Sequence, residues 1–189
     1  MKKNEIKVAD KEELLKVYNE RHEYSGKMEL RSVVHDKCLY HDEIVLWVIN
    51  PVKLKVLVQK RSPNKLLRPN RYGLCAGHVV ENESVEDALY KEAMEEIGLD
   101  LNKYEVKHIL TVKQLANQNY HFAHHFAVFA EIPLEEFKIQ EEELTEIKYM
   151  NYEDFKYRIR TGDDSVVVKW TYAEKQVFNK IDKILYGKK

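Results

Sequence analysis

The fold is decided by residues 77–99, which read GHVVENESVEDALYKEAMEEIGL. Ser84 is a favourable N-cap, and Asp87, three residues later, approximates the second half of a capping box. Acidic residues in the first turn suit the positive end of the helix dipole. Gly98 is the residue type that accepts the left-handed conformation after a helix. The stretch therefore predicts a loop followed by a helix over about residues 84–97.

One face of this helix changes from apolar to acidic along its length. At about 100° per residue, six positions fall within an arc of about 120°. The first three are apolar: Val85, Ala88 and Leu89. The last three are carboxylates: Glu92, Glu95 and Glu96. Like charges at such spacing repel by a few tenths of a kcal/mol per pair unless cations neutralise them, and oxygen-rich clusters suit Mg²⁺ or Mn²⁺. A solvated acidic face is the alternative, and continuity with the apolar stripe favours the cation site.

The same stretch resembles the Nudix box. That motif is a glycine, five residues, a glutamate, seven residues, an arginine-glutamate pair, an apolar residue, any residue, two glutamates, any residue, a glycine and an apolar residue. The matching residues are Gly77, Glu83, Glu92, Ala93, Glu95, Glu96, Gly98 and Leu99. Lys91 stands where the family usually has arginine, so the charge is kept without the bidentate fork. Lys91 also precedes Glu95 by four residues, a spacing that permits an ion pair along the helix.

The resemblance implies an α/β fold, namely a Nudix-type α/β/α sandwich with a mixed sheet and a loop–helix–loop catalytic motif. It implies hydrolysis of a diphosphate (P–O–P) linkage in a nucleoside diphosphate derivative or a related small molecule. It also implies Mg²⁺ or Mn²⁺ as the cofactor. Such a reaction needs charge neutralisation and an oriented water, and metal ions supply both.

The resemblance also assigns roles by position. The implied metal ligands are Glu92, Glu95 and Glu96, with Glu92 as the leading alternative for the general base. Glu83 would hold the loop, Gly77 would let the backbone turn tightly, and Lys91 completes the catalytic motif. Glu143, from an acidic run that is otherwise solvated, is assigned as a distant extra carboxylate for the metals.

The flanks resemble one branch of the family, the type I isopentenyl-diphosphate isomerases and their hydrolase relatives, over about residues 30–135. The shared layout consists of His41, Trp47, the run from Lys60 to Lys65, Pro69 and Gly77-His78. In those isomerases two upstream histidines, the histidine of Gly-His and two later glutamates build a metal site. A cysteine directly before Gly-His does proton chemistry there with another glutamate.

This chain departs from the isomerase pattern where the acid and base should be. Ala76 precedes Gly77-His78, and Cys75 lies one position early, where strand alternation turns it to the opposite face. The expected glutamates are replaced by Phe122 and His124. Because allylic isomerisation needs such an acid–base pair, a hydrolase is favoured. The alternatives are an isomerase-like enzyme and a catalytically silent Nudix ligand-binding module.

Basic and histidine side chains outside the motif supply further candidates. Guanidinium and ammonium groups suit phosphate oxygens, so we expect a diphosphate to be gripped by Arg61, Lys65 and Arg68, with His78 beside them. A solvated basic loop is the alternative. A structural or hydrogen-bonding role is the more frequent one for any single histidine, and it stays open for His121, His124 and His125.

Composition limits the partners and the compartment. The 189 residues carry 31 basic against 32 acidic side chains, so no global basic field favours nucleic acid. The apolar run over residues 44–49 is far shorter than the ~20 residues of a membrane span. Two cysteines outside any C-x-x-C pair favour a reducing compartment, and a cytoplasmic protein is expected. A homodimer is compatible with the sequence and is not required by it.

The whole chain, residues 1–189, is predicted to be a single Nudix domain. About residues 1–28 form an N-terminal extension, in which apolar spacing after Asp10 predicts a helix over residues 10–22. Strands are predicted at residues 43–50, 54–60, 73–79, 104–113, 124–132 and 146–150. Further helices are predicted at residues 151–160 and 170–186. Because the strands alternate with helices, the sheet should be mixed and covered by helices.

Overall fold

The computed structural model describes residues 12–65, 67–116 and 119–187. The first elements are β1 Leu14–Tyr18, β2 Tyr24–Leu30, α1 Arg31–Asp36, β3 His41–Asn50, β4 Lys55–Arg61, β5 Tyr72–Gly73 and β6 Cys75–His78. They are followed by α2 Val85–Ile97, β7 Val106–Ala116, β8 Asn119–Phe129, β9 Leu144–Asn151, α3 Tyr152–Thr161 and α4 Tyr172–Tyr186. Two short 3-10 helices lie at Leu101–Lys103 and Leu134–Glu136.

Within these residues a seven-stranded mixed sheet forms the centre of the molecule. Its main path is β5-β4-β3-β8-β7, with β6 paired to β3 and β9 paired to β4. The β3–β8 pair is parallel, and the other pairs are antiparallel. The central strand β3 has three neighbours. β8 pairs along most of its length, β6 pairs with residues 43–46, and β4 pairs with residues 49–50.

Helices cover both faces of this sheet. Successive side chains of β3 point to opposite faces, and both sets include apolar residues packed against helices. Ile44, Leu46 and Val48 belong to the apolar cluster that contains the buried face of α2. Trp47 and Ile49 belong to the other cluster, with the buried side chains of α3 and α4. The predicted α/β/α arrangement with a mixed sheet is confirmed.

The helix α2 begins and ends where its local sequence predicts. The Ser84 hydroxyl accepts from the Asp87 amide at 3.0 Å, and the Asp87 carboxylate accepts from the Ser84 amide at 3.0 Å, which completes the capping box. Gly98 takes the left-handed conformation, with φ of +64°. A Cβ at position 98 would lie only 2.9 Å from the Cβ of Lys138, so glycine is required for space as well as for conformation.

The predicted helix over residues 10–22 is wrong. Residues Leu14–Tyr18 form β1, which pairs with β2 in an antiparallel hairpin that is separate from the main sheet. Leu15 and Val17 alternate inward and pack against Val34, so the apolar period is 2 rather than 3.6. A run this short fits both periods, and pairing with β2 decides between them. The predicted cap Asp10 lies outside the described residues.

The other predicted elements are present with small differences at their ends. The strand predicted over residues 73–79 is divided into β5 and β6, because Tyr72–Gly73 pairs with β4 whereas Cys75–His78 pairs with β3. In the part of the chain that the structure describes, no helix has the length and apolar character needed to cross a membrane.

Candidate active site

A cavity of about 480 Å³ brings most of the predicted site residues together. Its acidic side is formed by Glu92, Glu95, Glu96 and Glu143. Its basic side is formed by Arg31, Arg61, Lys65 and Arg68. Gly77 and His78 also line it. A cavity that contains both carboxylates and guanidinium groups suits a ligand that carries phosphate together with cations.

The carboxylate of Glu92 lies directly over the backbone of Gly77. A Cβ at position 77 would be 2.3 Å from the Glu92 carboxyl carbon, so any other residue there would force the Glu92 side chain to move. Burial, together with the charges of Glu96 and Glu95, raises the pKa of Glu92 to about 8. A carboxyl group with that pKa either holds a proton at neutral pH or requires a cation beside it.

Glu96 is buried and held by three neighbours. Its Oε2 accepts from Gln59 Nε2 at 2.8 Å and from the Ala76 amide at 3.3 Å, and the Cys75 thiol also hydrogen-bonds to it. Burial raises the pKa of Glu96 to about 6 despite these donors. Glu95 is exposed on its helix yet lines the same cavity. The α2 carboxylates therefore form a crowded acidic group whose oxygen donors fit Mg²⁺ or Mn²⁺.

Lys91 bonds the loop before α2 rather than the next turn of the helix. Its Nζ donates to both carboxylate oxygens of Glu83, at 2.7 and 3.0 Å, and lies 3.6 Å from Glu92 Oε1. Burial acts to lower the pKa of Lys91, but the hydrogen bonds to Glu83 and the charges of Glu92, Glu83 and Glu95 together raise it. The spacing to Glu95 permits an ion pair along the helix, but the amine instead bonds Glu83, which the loop brings to it.

The basic side of the cavity is positioned by the backbone and by one carboxylate. Arg61 Nε donates to the Leu67 carbonyl at 3.1 Å, and Arg68 Nη1 donates to the Val167 carbonyl at 2.5 Å. Lys65 Nζ lies 3.0 Å from Glu143 Oε1. Burial and the nearby charges of Arg71 and Arg61 lower the pKa of Arg68. Such a concentration of positive charge is favourable beside an anion.

A group of three histidines lies beside the carboxylates and was not assembled by sequence reasoning. His35, His41 and His78 place their ring nitrogens within 4.8 Å of one another. Burial lowers the pKa of His35 to about 4 and that of His41 to about 3, so both rings are neutral at pH 7. Their Nε2 atoms are buried and have no hydrogen-bond partner among the described residues. Neutral imidazoles with free lone pairs are ligands for a transition metal.

Two carboxylates lie next to these histidines. Glu13 Oε2 is 3.1 Å from His78 Nδ1, and Glu43 Oε2 is 3.2 Å from His121 Nε2. The isomerase resemblance implied two upstream histidines and the histidine of Gly-His, and the fold brings His35, His41 and His78 together. The carboxylates beside them come from the N-terminal segment and from β3. The resemblance pointed to later positions in the chain, so sequence reasoning missed both.

In the sequence, Phe122 and His124 match the glutamates of the isomerases, but strand alternation directs both away from the cavity. His121 and Ala123 of β8 line the cavity, whereas Phe122 and His124 point to the other face of the sheet. The residues that face the cavity from β8 are thus different from those expected, and neither of them is a carboxylate. His125 accepts from Trp47 Nε1 at 3.1 Å, which fits the structural role considered for it.

Cys75 and Ala76 lie as the sequence predicted. Ala76 lines the cavity, and Cys75 is buried in the apolar cluster beneath α2. Burial and the charge of Glu96 raise the pKa of the Cys75 thiol well above its ordinary value. Position 76 therefore presents a methyl group to the cavity where the isomerases place a thiol.

Comparison with known proteins identifies the class that this fold and cavity define. The family model of the NUDIX domain matches residues 39–170, which is more than half of the chain. The chain belongs to the Nudix family, as the residue 77–99 motif predicted.

Its relatives carry the name of the corresponding enzyme class. The chain is 26% identical over 165 residues to Nudix hydrolase 3 of Arabidopsis thaliana, covering 82% of this chain and 21% of that protein. It is 29% identical over 140 residues to an uncharacterized Nudix hydrolase of Clostridium acetobutylicum, covering 70% of this chain and 67% of that one. The chain thus spans about a fifth of the length of the plant relative. Both relatives are named Nudix hydrolases, in agreement with the family predicted from the motif.

The same fold occurs in a crystal structure of a Deinococcus radiodurans protein. That structure superimposes with a TM-score of 0.67 at 21% identity, over 87% of this chain and 97% of the other. The agreement extends beyond the residues matched by the family model and supports the sandwich architecture.

Proposed function

We propose that this protein hydrolyses a P–O–P linkage in a nucleoside diphosphate derivative or a related small-molecule diphosphate, with Mg²⁺ or Mn²⁺ as the cofactor. The observation that carries the proposal is the crowding of Glu92, Glu95 and Glu96 on one wall of a cavity. The same cavity is also lined by Arg61 and Arg68. Such an arrangement accommodates a diphosphate between bound cations and fixed guanidinium groups.

The acidic side chains would hold the cations. Glu92, Glu95 and Glu96 are the ligands that fit, and Glu143 lies near enough to raise the pKa of Glu96. Bound divalent cations would neutralise the diphosphate and orient the attacking water. Gln59 and the Ala76 amide keep one oxygen of Glu96 fixed, so its other oxygen is the one available to a ligand.

Glu92 is also suited to accept a proton from water. As the alternative to a ligand role, it could serve as the general base, because burial and the neighbouring charges raise its pKa to about 8, close to the operating pH. Arg61 and Arg68 would bind the phosphate oxygens, because both guanidinium groups are oriented by backbone carbonyls. Isomerisation is not proposed, because Ala76 offers no proton donor at the position of the isomerase thiol.

The test is a phosphate-release panel of diphosphate compounds with Mg²⁺ and with Mn²⁺, beside an isopentenyl-diphosphate isomerisation assay. We expect release from at least one compound, loss of release in chelator, and no isomerisation. Full turnover in chelator would exclude the metal mechanism. Tight binding of a compound without turnover would favour the silent binding module.

The Glu95→Gln variant tests the metal ligands directly. We expect it to lower kcat at least tenfold and to fold normally, because the amide keeps the volume and removes like-charge repulsion on α2. Glu86→Gln is the matched control, since Glu86 lies exposed in the first turn of the same helix. A Glu95→Gln enzyme with more than a tenth of the wild-type kcat and unchanged metal affinity would remove Glu95 from the ligand set.

A further inference from the structure

Three side chains from separate parts of the chain meet on the side of the sheet that faces away from the cavity. They are His22 in the turn between β1 and β2, Asp42 in β3 and His124 in β8. We propose that they form a binding site for a transition-metal dication of the zinc type. This site shares no residue with the Nudix motif or with the cavity.

The two rings converge on a single oxygen atom. His22 Nε2 lies 2.7 Å from Asp42 Oδ1, and His124 Nε2 lies 2.9 Å from the same atom. All three potential ligand atoms lie within 4.8 Å of one another. Ligands of tetrahedral zinc lie about 2.0–2.2 Å from the metal and therefore about 3.3 Å apart. Opening each contact by about 0.5 Å admits the ion.

Strand alternation separates this site from the cavity. Glu43 lines the cavity, so the adjacent Asp42 points to the other face of β3. In β8, His121 and Ala123 line the cavity, and His124 points away from them. The zinc-type site therefore uses different residues, on the other face of the sheet, from the Mg²⁺ or Mn²⁺ site proposed at Glu92, Glu95 and Glu96.

The surrounding side chains orient both rings. His124 Nδ1 lies 3.0 Å from the Thr111 hydroxyl, which lies 3.0 Å from His108 Nε2. When His124 donates from Nδ1 to this hydroxyl and the hydroxyl donates to His108, Nε2 of His124 keeps its lone pair for a metal. Metal-bound histidines commonly have this outer support. The His22 ring is stacked on Phe122 with 4.0 Å between ring centroids and 25° between planes.

Charge and exposure also favour a dication. Two imidazoles and one carboxylate form a donor set that zinc accepts, with the fourth position left to water. The His22 side chain is 32% exposed, so an ion can reach the site from solvent.

The ion would attach the N-terminal hairpin to the main sheet. His22 belongs to the hairpin turn, whereas Asp42 and His124 belong to neighbouring strands of the sheet. The residue preceding this hairpin, Glu13, lies 3.1 Å from His78 in the cavity. Metal binding at the hairpin turn would therefore stabilise the segment that completes the cavity wall.

Zinc titration of the full chain, stripped of metal by chelator, tests the site. Isothermal titration should show one Zn²⁺ equivalent fewer for His22→Gln than for the wild type. His35→Gln is the matched control, because it removes a ligand of the cavity histidines instead. The double variant His22→Gln/His35→Gln should likewise bind one Zn²⁺ equivalent fewer than His35→Gln alone. Equal stoichiometry and affinity for the wild type and His22→Gln would overturn the proposal.

Hydrogen exchange supplies a second readout that does not depend on activity. Saturating Zn²⁺ should slow amide exchange in residues 14–30 of the wild type and of His35→Gln, and should leave it unchanged in His22→Gln. Thr111→Val should weaken zinc affinity by about 10–100-fold, because it removes the support of the His124 ring. The same protection by zinc in His22→Gln would contradict a ligand role for His22.

Discussion

At the scale of single residues, the contact between Gly77 and Glu92 explains why the motif begins with glycine. An added Cβ would lie 2.3 Å from the Glu92 carboxyl carbon, so a larger residue at position 77 would displace this side chain. Burial, with the charges of Glu96 and Glu95, raises the pKa of Glu92 to about 8. Glycine at position 77 therefore leaves the space that the leading candidate base occupies.

Above about pH 6.5, stability of the metal-free protein should fall as the pH rises. Up to the folded pKa of about 8, the folded chain holds a proton on Glu92 that the unfolded chain has released, so the free energy of unfolding falls. Below about pH 6.5, His35 and His41 act in the opposite direction, because their lowered pKa values keep them neutral in the folded chain while the unfolded chain binds their protons. We expect Glu92→Gln to remove most of the slope and to stabilise the protein by roughly 1–3 kcal/mol at pH 8.

Urea unfolding in chelator from pH 7 to pH 9, above the range of the buried histidines, measures this slope. Glu86→Gln is the control, because it removes a carboxylate from the same helix at an exposed position. Equal pH slopes for the wild type and Glu92→Gln would show that Glu92 is not protonated in the folded state.

At the scale of elements, Lys91 connects α2 to the loop that precedes it. Its Nζ bonds both oxygens of Glu83, and Lys16 Nζ donates to the Glu83 carbonyl at 3.1 Å. The loop is therefore held from the helix on one side and from β1 on the other. Lysine here performs the tethering that the resemblance assigns to arginine, with one nitrogen atom instead of two.

Substitutions of Lys91 should separate tethering from mere surface charge. We expect Lys91→Ala to weaken Mg²⁺ affinity and lower kcat/KM about tenfold, since removing one partner of a partly buried, charge-assisted pair costs about 1–2 kcal/mol. Lys91→Arg should preserve or raise both quantities. The measurement is the Mg²⁺ dependence of kcat/KM for Lys91→Ala, Lys91→Arg and Lys91→Gln. Wild-type values in both the alanine and the glutamine variants would end the tether hypothesis.

At the scale of the whole molecule, the N-terminal hairpin is a small structure attached to a large one. It forms its own two-stranded sheet and its own apolar cluster of Leu15, Val17 and Val34. Isolated bridges connect Leu15 to Val80 and Tyr18 to Tyr40. A two-stranded sheet is marginal by itself, so its attachment depends on these few contacts.

Leu15→Ala should loosen the hairpin without unfolding the main sheet. Leu15 is fully buried, and Leu→Ala changes in cores cost about 2–5 kcal/mol. We expect amide exchange to rise in residues 14–30 and to stay unchanged in β3 and β8, because the loss falls on a locally cooperative unit. Leu30→Ala is the control, since Leu30 lies on the same hairpin and is 45% exposed. Uniformly faster exchange over the whole chain would contradict this separation.

The sequence alone determined what depends on neighbouring residues. The limits of α2, its capping box and its left-handed Gly98 follow from side chains within four positions of one another. The shared inward face of Glu92, Glu95 and Glu96 follows from helical geometry. The motif was recognisable because all of its positions lie within residues 77–99, and the Nudix family followed from it.

Only the tertiary structure decided what depends on distant partners. The apolar spacing of residues 14–18 fits a helix or a strand, and pairing with β2 selects the strand. Lys91 has carboxylates at several helical spacings, and the path of the loop selects Glu83. His22, Asp42 and His124 are spread along the chain and meet because β3 and β8 are parallel neighbours beneath the hairpin. Such contacts form through strand register and packing, which no local pattern of residues encodes.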